Sequence, residues 1–160
     1  MKNLKYFTLI ILSVFLISCS NNNVYKEYKN TNSELEFDFA SWKKTNILVF
    51  EILLEKPYKS LETIISIRHA MHYPFSNLKI NIECEMPDGK KTKTPYDLVL
   101  AENNMFKGSG MGDIWDIDIP IVLPIKFDQK GVYKLNINHE MIDKLPGVLE
   151  VGVILKETQE

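Results

Sequence analysis

Leu78-Lys79-Ile80-Asn81-Ile82-Glu83-Cys84-Glu85-Met86, closed by Pro87-Asp88-Gly89, is the stretch that decides the fold. Its apolar residues fall on every second position. Successive side chains leave a strand on opposite faces, so this alternation marks a half-buried β-strand. Pro-Asp-Gly then supplies a preset φ, a side chain that hydrogen-bonds its own backbone, and a residue free to take positive φ, which together make a hairpin connection. Cys84 falls on the apolar side and reads as a buried, unreactive thiol rather than a nucleophile.

The same period runs outward in both directions. Tyr133, Leu135 and Ile137 alternate with Lys134, Asn136 and Asn138, and Val151, Val153 and Leu155 follow. Upstream stand Ile65 and Ile67, the run Leu48, Phe50, Ile52 and Leu54, and the set Leu35, Phe37 and Phe39. Asp113 to Asp118 reads as a further strand. Pro74, Pro95, Pro120, Pro124, Gly131 and Pro146-Gly147 punctuate these runs. No segment carries an i, i+3, i+4 apolar stripe, and Glu140 to Leu145 has room for one helical turn at most. The expected fold is all-β: an antiparallel β-sandwich of about eight strands over residues 34–160.

The 160-residue chain is 45% hydrophobic and 25% charged with a formal net charge of −2, which suits one domain with a real core. That charge, with lysines spread among acids, excludes a nucleic-acid partner. Lys2 and Lys5 precede an apolar run from Tyr6 to Ile17. At about a dozen residues it is short of the roughly 20 a membrane span needs, and it matches a signal peptide. Leu16-Ile17-Ser18-Cys19 resembles the bacterial lipobox. The resemblance implies a signal peptide over 1–18, cleavage before Cys19, a diacylglycerol on its thiol and acylation of the new amine. Residues 19–33 then read as a lipidated Cys and polar tether, although Val24, Tyr25 and Tyr28 could begin a first strand. Ser20, where Asp would retain the protein at the inner membrane, points to the outer membrane. Asn21-Asn22-Asn23 lacks the acidic cluster of surface-exported lipoproteins, which favours the periplasmic face.

Few constellations suggest chemistry. A metal-dependent hydrolase would use His69, His72 and His139, because zinc needs three or four converging ligands. On a strand running into a turn, however, His69 and His72 face opposite ways, with His69 on the apolar face and His72 in a loop. Gly108-Ser109-Gly110-Met111-Gly112 lacks the Lys-Ser/Thr and the helix of a phosphate loop; its glycines fit a tight β connection. Asp113, Asp116 and Asp118 could offer calcium some oxygens, but their spacing fits no EF-hand and a solvated strand face is the plainer reading. There is no Gly-x-Ser-x-Gly elbow. Trp42, Phe75, Phe106 and Trp115 stand near turns, either packing at the core edge or lining a groove.

From Ile65 onward the chain resembles the gliding-motility lipoprotein GldH family of Bacteroidota. The matching stretches are Ile65 to Leu78, with its Tyr73-Pro74-Phe75 turn and Asn77-Leu78 restart; Pro87-Asp88-Gly89; Lys107 to Ile114; Phe127; Gly131-Val132-Tyr133; and Val151-Gly152-Val153. Tyr25 and Trp42 fit more loosely. The family usually has a Trp near Phe106 and an Arg after the Met near Met141, where this chain has Ile142. The resemblance implies a membrane-anchored envelope lipoprotein of the gliding apparatus, linked to type IX secretion, with protein partners, no enzymatic activity and no cofactor. Tyr73, Phe75, Asn77, Trp115 and Asp113 are the candidate interaction surface. The alternative is a glycan-binding sandwich with Trp42, Trp115 and Tyr73 as its platform.

Overall fold

The computed structural model describes residues 22–32 and 41–158. The expected signal peptide over 1–18, Cys19 and the alternation of Leu35, Phe37 and Phe39 lie outside the described residues. From the chain start run β1 (Asn23–Asn30), β2 (Ser41–Lys43), β3 (Leu48–Leu54), β4 (Leu61–Ala70) and β5 (Asn77–Glu85). Next come β6 (Lys91–Val99), the short β7 (Ala101–Glu102), β8 (Met105–Phe106) and β9 (Ser109–Met111), and then β10 (Ile114–Ile121). β11 (Gly131–His139), β12 (Lys144–Pro146) and β13 (Val148–Glu157) complete the order. The fold is all-β, as the alternation predicts. Eight of these strands have seven or more residues and the other five have two or three.

Two antiparallel sheets carry the structure. The first runs β1-β13-β4-β10-β9 and the second β3-β11-β5-β6. Each presents one face to a shared core. From the first sheet come Ile65, Ile67, Ile117, Val151, Val153 and Leu155; from the second come Phe50, Ile52, Ile80, Ile82, Leu135 and Ile137. Fully burying each such side chain contributes about 1.5–3 kcal/mol relative to leaving it in water. Cys84 and Tyr133 belong to the same core. The Tyr133 hydroxyl donates to Lys126 O and Gln129 O at 3.3 Å and accepts from Gln129 N–H at 3.1 Å, pinning the loop before β11.

The outer face of the second sheet is a charge ladder. Glu51, Lys134, Glu85 and Lys91 lie side by side across its four strands. Lys134 pairs with Glu51 and Lys91 with Glu85, each at 3.0 Å. Exposed pairs of this kind contribute about 0–1 kcal/mol each, so they mark a solvated face more than they hold the fold.

Two local expectations change. Asn23–Asn30, read as tether with the option of a first strand, is strand β1, paired with β13 from Asn23↔Lys156 to Asn30↔Glu150. Its place in the first sheet carries that sheet upstream of residue 34. The segment with room for a helical turn instead supplies β12, whose Leu145 lies opposite Trp42 of β2, both fully buried.

The registers define two ends. One end holds the start of β1, the start of β4 at Leu61 and the end of β10 at Ile121. The other holds His69, Ala70, Ile114 and Val148. We call these the near and far ends, measured from the chain start.

Candidate functional site

The far end is built around a row of aromatic rings. Trp115 on β10 and His69 on β4 are register partners facing inward. Phe106 comes from the β7–β8 hairpin, whose tip residues Asn103 and Asn104 take φ of 51° and 62°, the double positive φ of a type I′ turn. Phe106 lies 5.8 Å from Trp115 and 4.6 Å from His69, centroid to centroid. Tyr73 follows at 5.7 Å from His69, and Phe75 at 5.8 Å from Tyr73. The interplanar angles of 49–69° are the tilted and edge-on contacts that ring quadrupoles favour. Tyr73 is locked by its hydroxyl donating to Asn77 O at 2.8 Å and its amide to Ala70 O at 3.0 Å. Gly147, at φ +82°, presses against it: a Cβ there would lie 3.1 Å from Tyr73 Cα.

Both buried histidines are neutral parts of this packing. Burial lowers their pKa values below the ordinary value near 6.5. His69 Nδ1 lies 3.1 Å from Ala70 O, which only a protonated Nδ1 satisfies as donor. His139 packs edge-on against Trp42 at 4.9 Å. Its Nδ1 accepts from Met141 N–H at 3.3 Å, so its Nε2–H donates to Trp42 O at 3.0 Å. His72 stands exposed in the loop after β4. Among the described residues no three His, Cys, Asp or Glu side chains gather closely enough to hold a metal ion. Cys84 is buried, and burial pushes its thiol up to about 11.

Flexible apolar side chains stand exposed around this rigid row. Met111 is 88% exposed, Met105 69% and Met71 58%, with Ile47, Ile114 and Ile142 also in water. Met71 N–H donates to Asp113 O at 2.7 Å, tying the turn after β4 to the β9–β10 turn. Ile114 pairs with both Ala70 and Met111, so Met71, Met111 and Ile114 form one cluster. The β9–β10 turn consists of Gly112 (φ +64°) and Asp113, the positive-then-negative pattern of a type II′ hairpin. The glycine stretch therefore makes tight connections, as expected.

The expected site residues land unequally. Tyr73, Phe75 and Trp115 are brought into one ring row, with Tyr73 buried and the other two half-buried. The Trp115 indole lies over Gly110, where a Cβ would approach its Cε2 to 2.7 Å. Asn77 sits beside them, its side-chain amide donating to Asp97 while its carbonyl holds Tyr73. Asp113 is exposed at the turn. A glycan platform of Trp42, Trp115 and Tyr73 is overturned, because Trp42 and Tyr73 are core residues with no face open to a sugar. The three aspartates also serve separately: Asp113 is in the turn, Asp116 pairs with Arg68 at 2.8 Å, and Asp118 lies further along β10. The exposed methionines were missed. Their signal was position, since each stands in or beside a turn, where an apolar residue gains nothing from water.

The GldH lipoprotein family model matches residues 23–155. A relative from Christiangramia forsetii, described as "Gliding motility lipoprotein GldH homolog", is 28% identical over 162 residues, covering 95% of this chain and 92% of its own length. Among solved structures, "CBM35 from Cellvibrio japonicus Abf62" covers 89% of this chain and 94% of its own at 11% identity and a TM-score of 0.36, too distant a likeness to bear on function. The family match begins with the first residue of β1 and ends within β13, so it takes in every sheet-forming strand between them. The chain belongs to the GldH lipoprotein family.

Proposed function

We propose that this protein is a non-catalytic envelope lipoprotein that serves the gliding-motility and type IX secretion machinery through protein contacts made at its far end. One observation carries the reading: Met71, Met111 and Ile114 are exposed together where the turn after β4 meets the β9–β10 turn. Exposed methionines make adaptable apolar contacts, and exposed apolar clusters on a soluble surface mark interaction sites. Residues 1–18 act as signal peptide, and Cys19 carries the lipid anchor. Each acyl methylene contributes about 0.8 kcal/mol, so several chains together hold the protein on the membrane durably. Ser20 directs it to the outer membrane, and Asn21-Asn22-Asn23 leaves it on the periplasmic face.

The test is a Met71→Glu/Met111→Glu double variant in a gliding host. Colony spreading should be lost while the lipoprotein stays in the envelope at its usual level, and a photocrosslinker at Met111 should capture a component of the machinery. Unimpaired spreading and secretion would refute the reading. A mass spectrum of the native protein should begin at an acylated Cys19.

A further inference from the structure

A second surface lies on the outer face of the first sheet, opposite the inward-facing ring row and next along β9 and β10 from Met111 and Ile114. Its centre is Gly152, in the middle of β13 between the buried Val151 and Val153. Glycine in a strand interior costs stability, and its usual reason is the close approach of another group. Here that group is Tyr28 of β1, the register partner of Gly152. A Cβ at Gly152 would lie 2.6 Å from Tyr28 Cδ1 and Cε1 and 3.1 Å from Ser66 Cβ. The phenol ring therefore rests on bare backbone; it is 43% exposed, and the flexible Lys26 side chain reaches over it, Nζ 5.3 Å from the ring centroid.

The polar groups beside the ring hold one another in place. Arg68 grips Asp116 with two contacts, Nε to Oδ1 at 2.8 Å and Nη2 to Oδ2 at 3.2 Å, and reaches Glu150 with Nη1 at 2.7 Å. Asp118 lies in the next row, opposite Ser66, and neither a salt bridge nor a hydrogen bond occupies its carboxylate among the described residues. Gly108, at φ +89°, closes one wall, since a Cβ there would strike Asp116 O at 2.1 Å. Ser109 lines the same wall, and the groove they enclose measures about 670 Å³.

We propose that this groove binds a neutral saccharide, with the exposed ring of Tyr28 as its stacking platform once the Lys26 side chain swings aside. A sugar ring presents a flat C–H face and an edge of hydroxyls, each both donor and acceptor. The groove offers the complement: one flat aromatic face, fixed carboxylates with spare lone pairs, and a guanidinium. Other ligand classes fit less well. Three carboxylates against Arg68 leave the lining negative and disfavour phosphate. A cationic ligand meets Lys26, whose Nζ already lies 5.3 Å from the Tyr28 ring centroid. Arg68 also holds two of the carboxylates, Asp116 and Glu150, in hydrogen bonds.

The test is calorimetric titration of the full mature lipoprotein, held in a detergent without sugar headgroups. The probes are the tetrasaccharides of the cello, manno, xylo and chito series, with tetralysine and inorganic phosphate as comparators. At least one tetrasaccharide should bind saturably. Tyr28→Ala should weaken it by about tenfold, as truncation of a central aromatic contact does. Asp118→Asn should weaken it by about threefold, as loss of a hydrogen-bond partner does, with an unchanged melting temperature. Should Tyr28→Ala unfold, the isosteric Asp118→Asn decides. The proposal is overturned if no tetrasaccharide binds, if tetralysine or phosphate binds in their place, or if affinity is unchanged in Asp118→Asn.

Discussion

Cys84 shows how burial sets chemistry at one residue. It lies on the core face of β5, and loss of hydration pushes its thiol up to about 11. A thiolate is the reactive species, so native protein should resist Ellman's reagent at pH 8 and react only once guanidinium opens the core. His69 and His139 carry the opposite signature. Burial lowers their pKa values, so the unfolded chain takes up protons first as pH falls below about 6.5. Stability is then fully present above that value and lost as pH drops through the lowered folded-state values. Urea midpoints should fall between pH 7.5 and 5, and His139→Gln should flatten part of that slope. His69 was legible as inward-facing from strand period alone. Trp42 and Tyr73 were misjudged as platforms because a ring next to a turn reads the same whether the loop folds over it or away. Tyr28 was read only as part of a tether or a first strand, because its partner Gly152 lies more than a hundred residues downstream.

At the scale of elements, strands with one buried and one solvated face were readable, and two edge strands, β1 and β6, were not. β3, β5 and β11 alternate cleanly because each has a core on one side and water on the other. β6 escapes that logic. Leu98 is its sole fully buried residue, and Lys91, Lys93 and Pro95 face water at the edge of the second sheet. Charge and proline on an edge blunt pairing with other chains, and the same features hide the strand from a search for alternation. β1, at the edge of the first sheet, is equally mixed in burial and was read mainly as tether. Replacing Lys93 and Pro95 together by Val should restore a regular β edge. The expected result is concentration-dependent association, seen as rising light scattering at a folded circular-dichroism spectrum. A variant that stays monomeric at high concentration would show that the edge is protected some other way.

The whole molecule has a direction. Three residues separate Cys19 from β1, so the near end lies within about 14 Å of a lipidated Cys19. β1 then runs eight residues, about 27 Å at 3.4 Å each, towards the far end. A chain anchored at Cys19, as proposed, and standing with β1 along the membrane normal would hold its methionines well clear of the headgroups. Because Cys84 is buried, single cysteines can be labelled selectively. A fluorophore at Lys59→Cys, at the near end, should be quenched by nitroxide lipids, and one at Met111→Cys should not. Equal quenching at both positions would mean that the sandwich lies on its side.

The pairing of β1 with β13 has a mechanical consequence. Antiparallel ladder bonds lie perpendicular to the strands. Tension between a membrane anchor and a partner held at the opposite end runs along β1, so it strains its ladder in shear, many bonds at once, rather than peeling them singly. A lipoprotein built this way can transmit pulling forces without shedding its first strand.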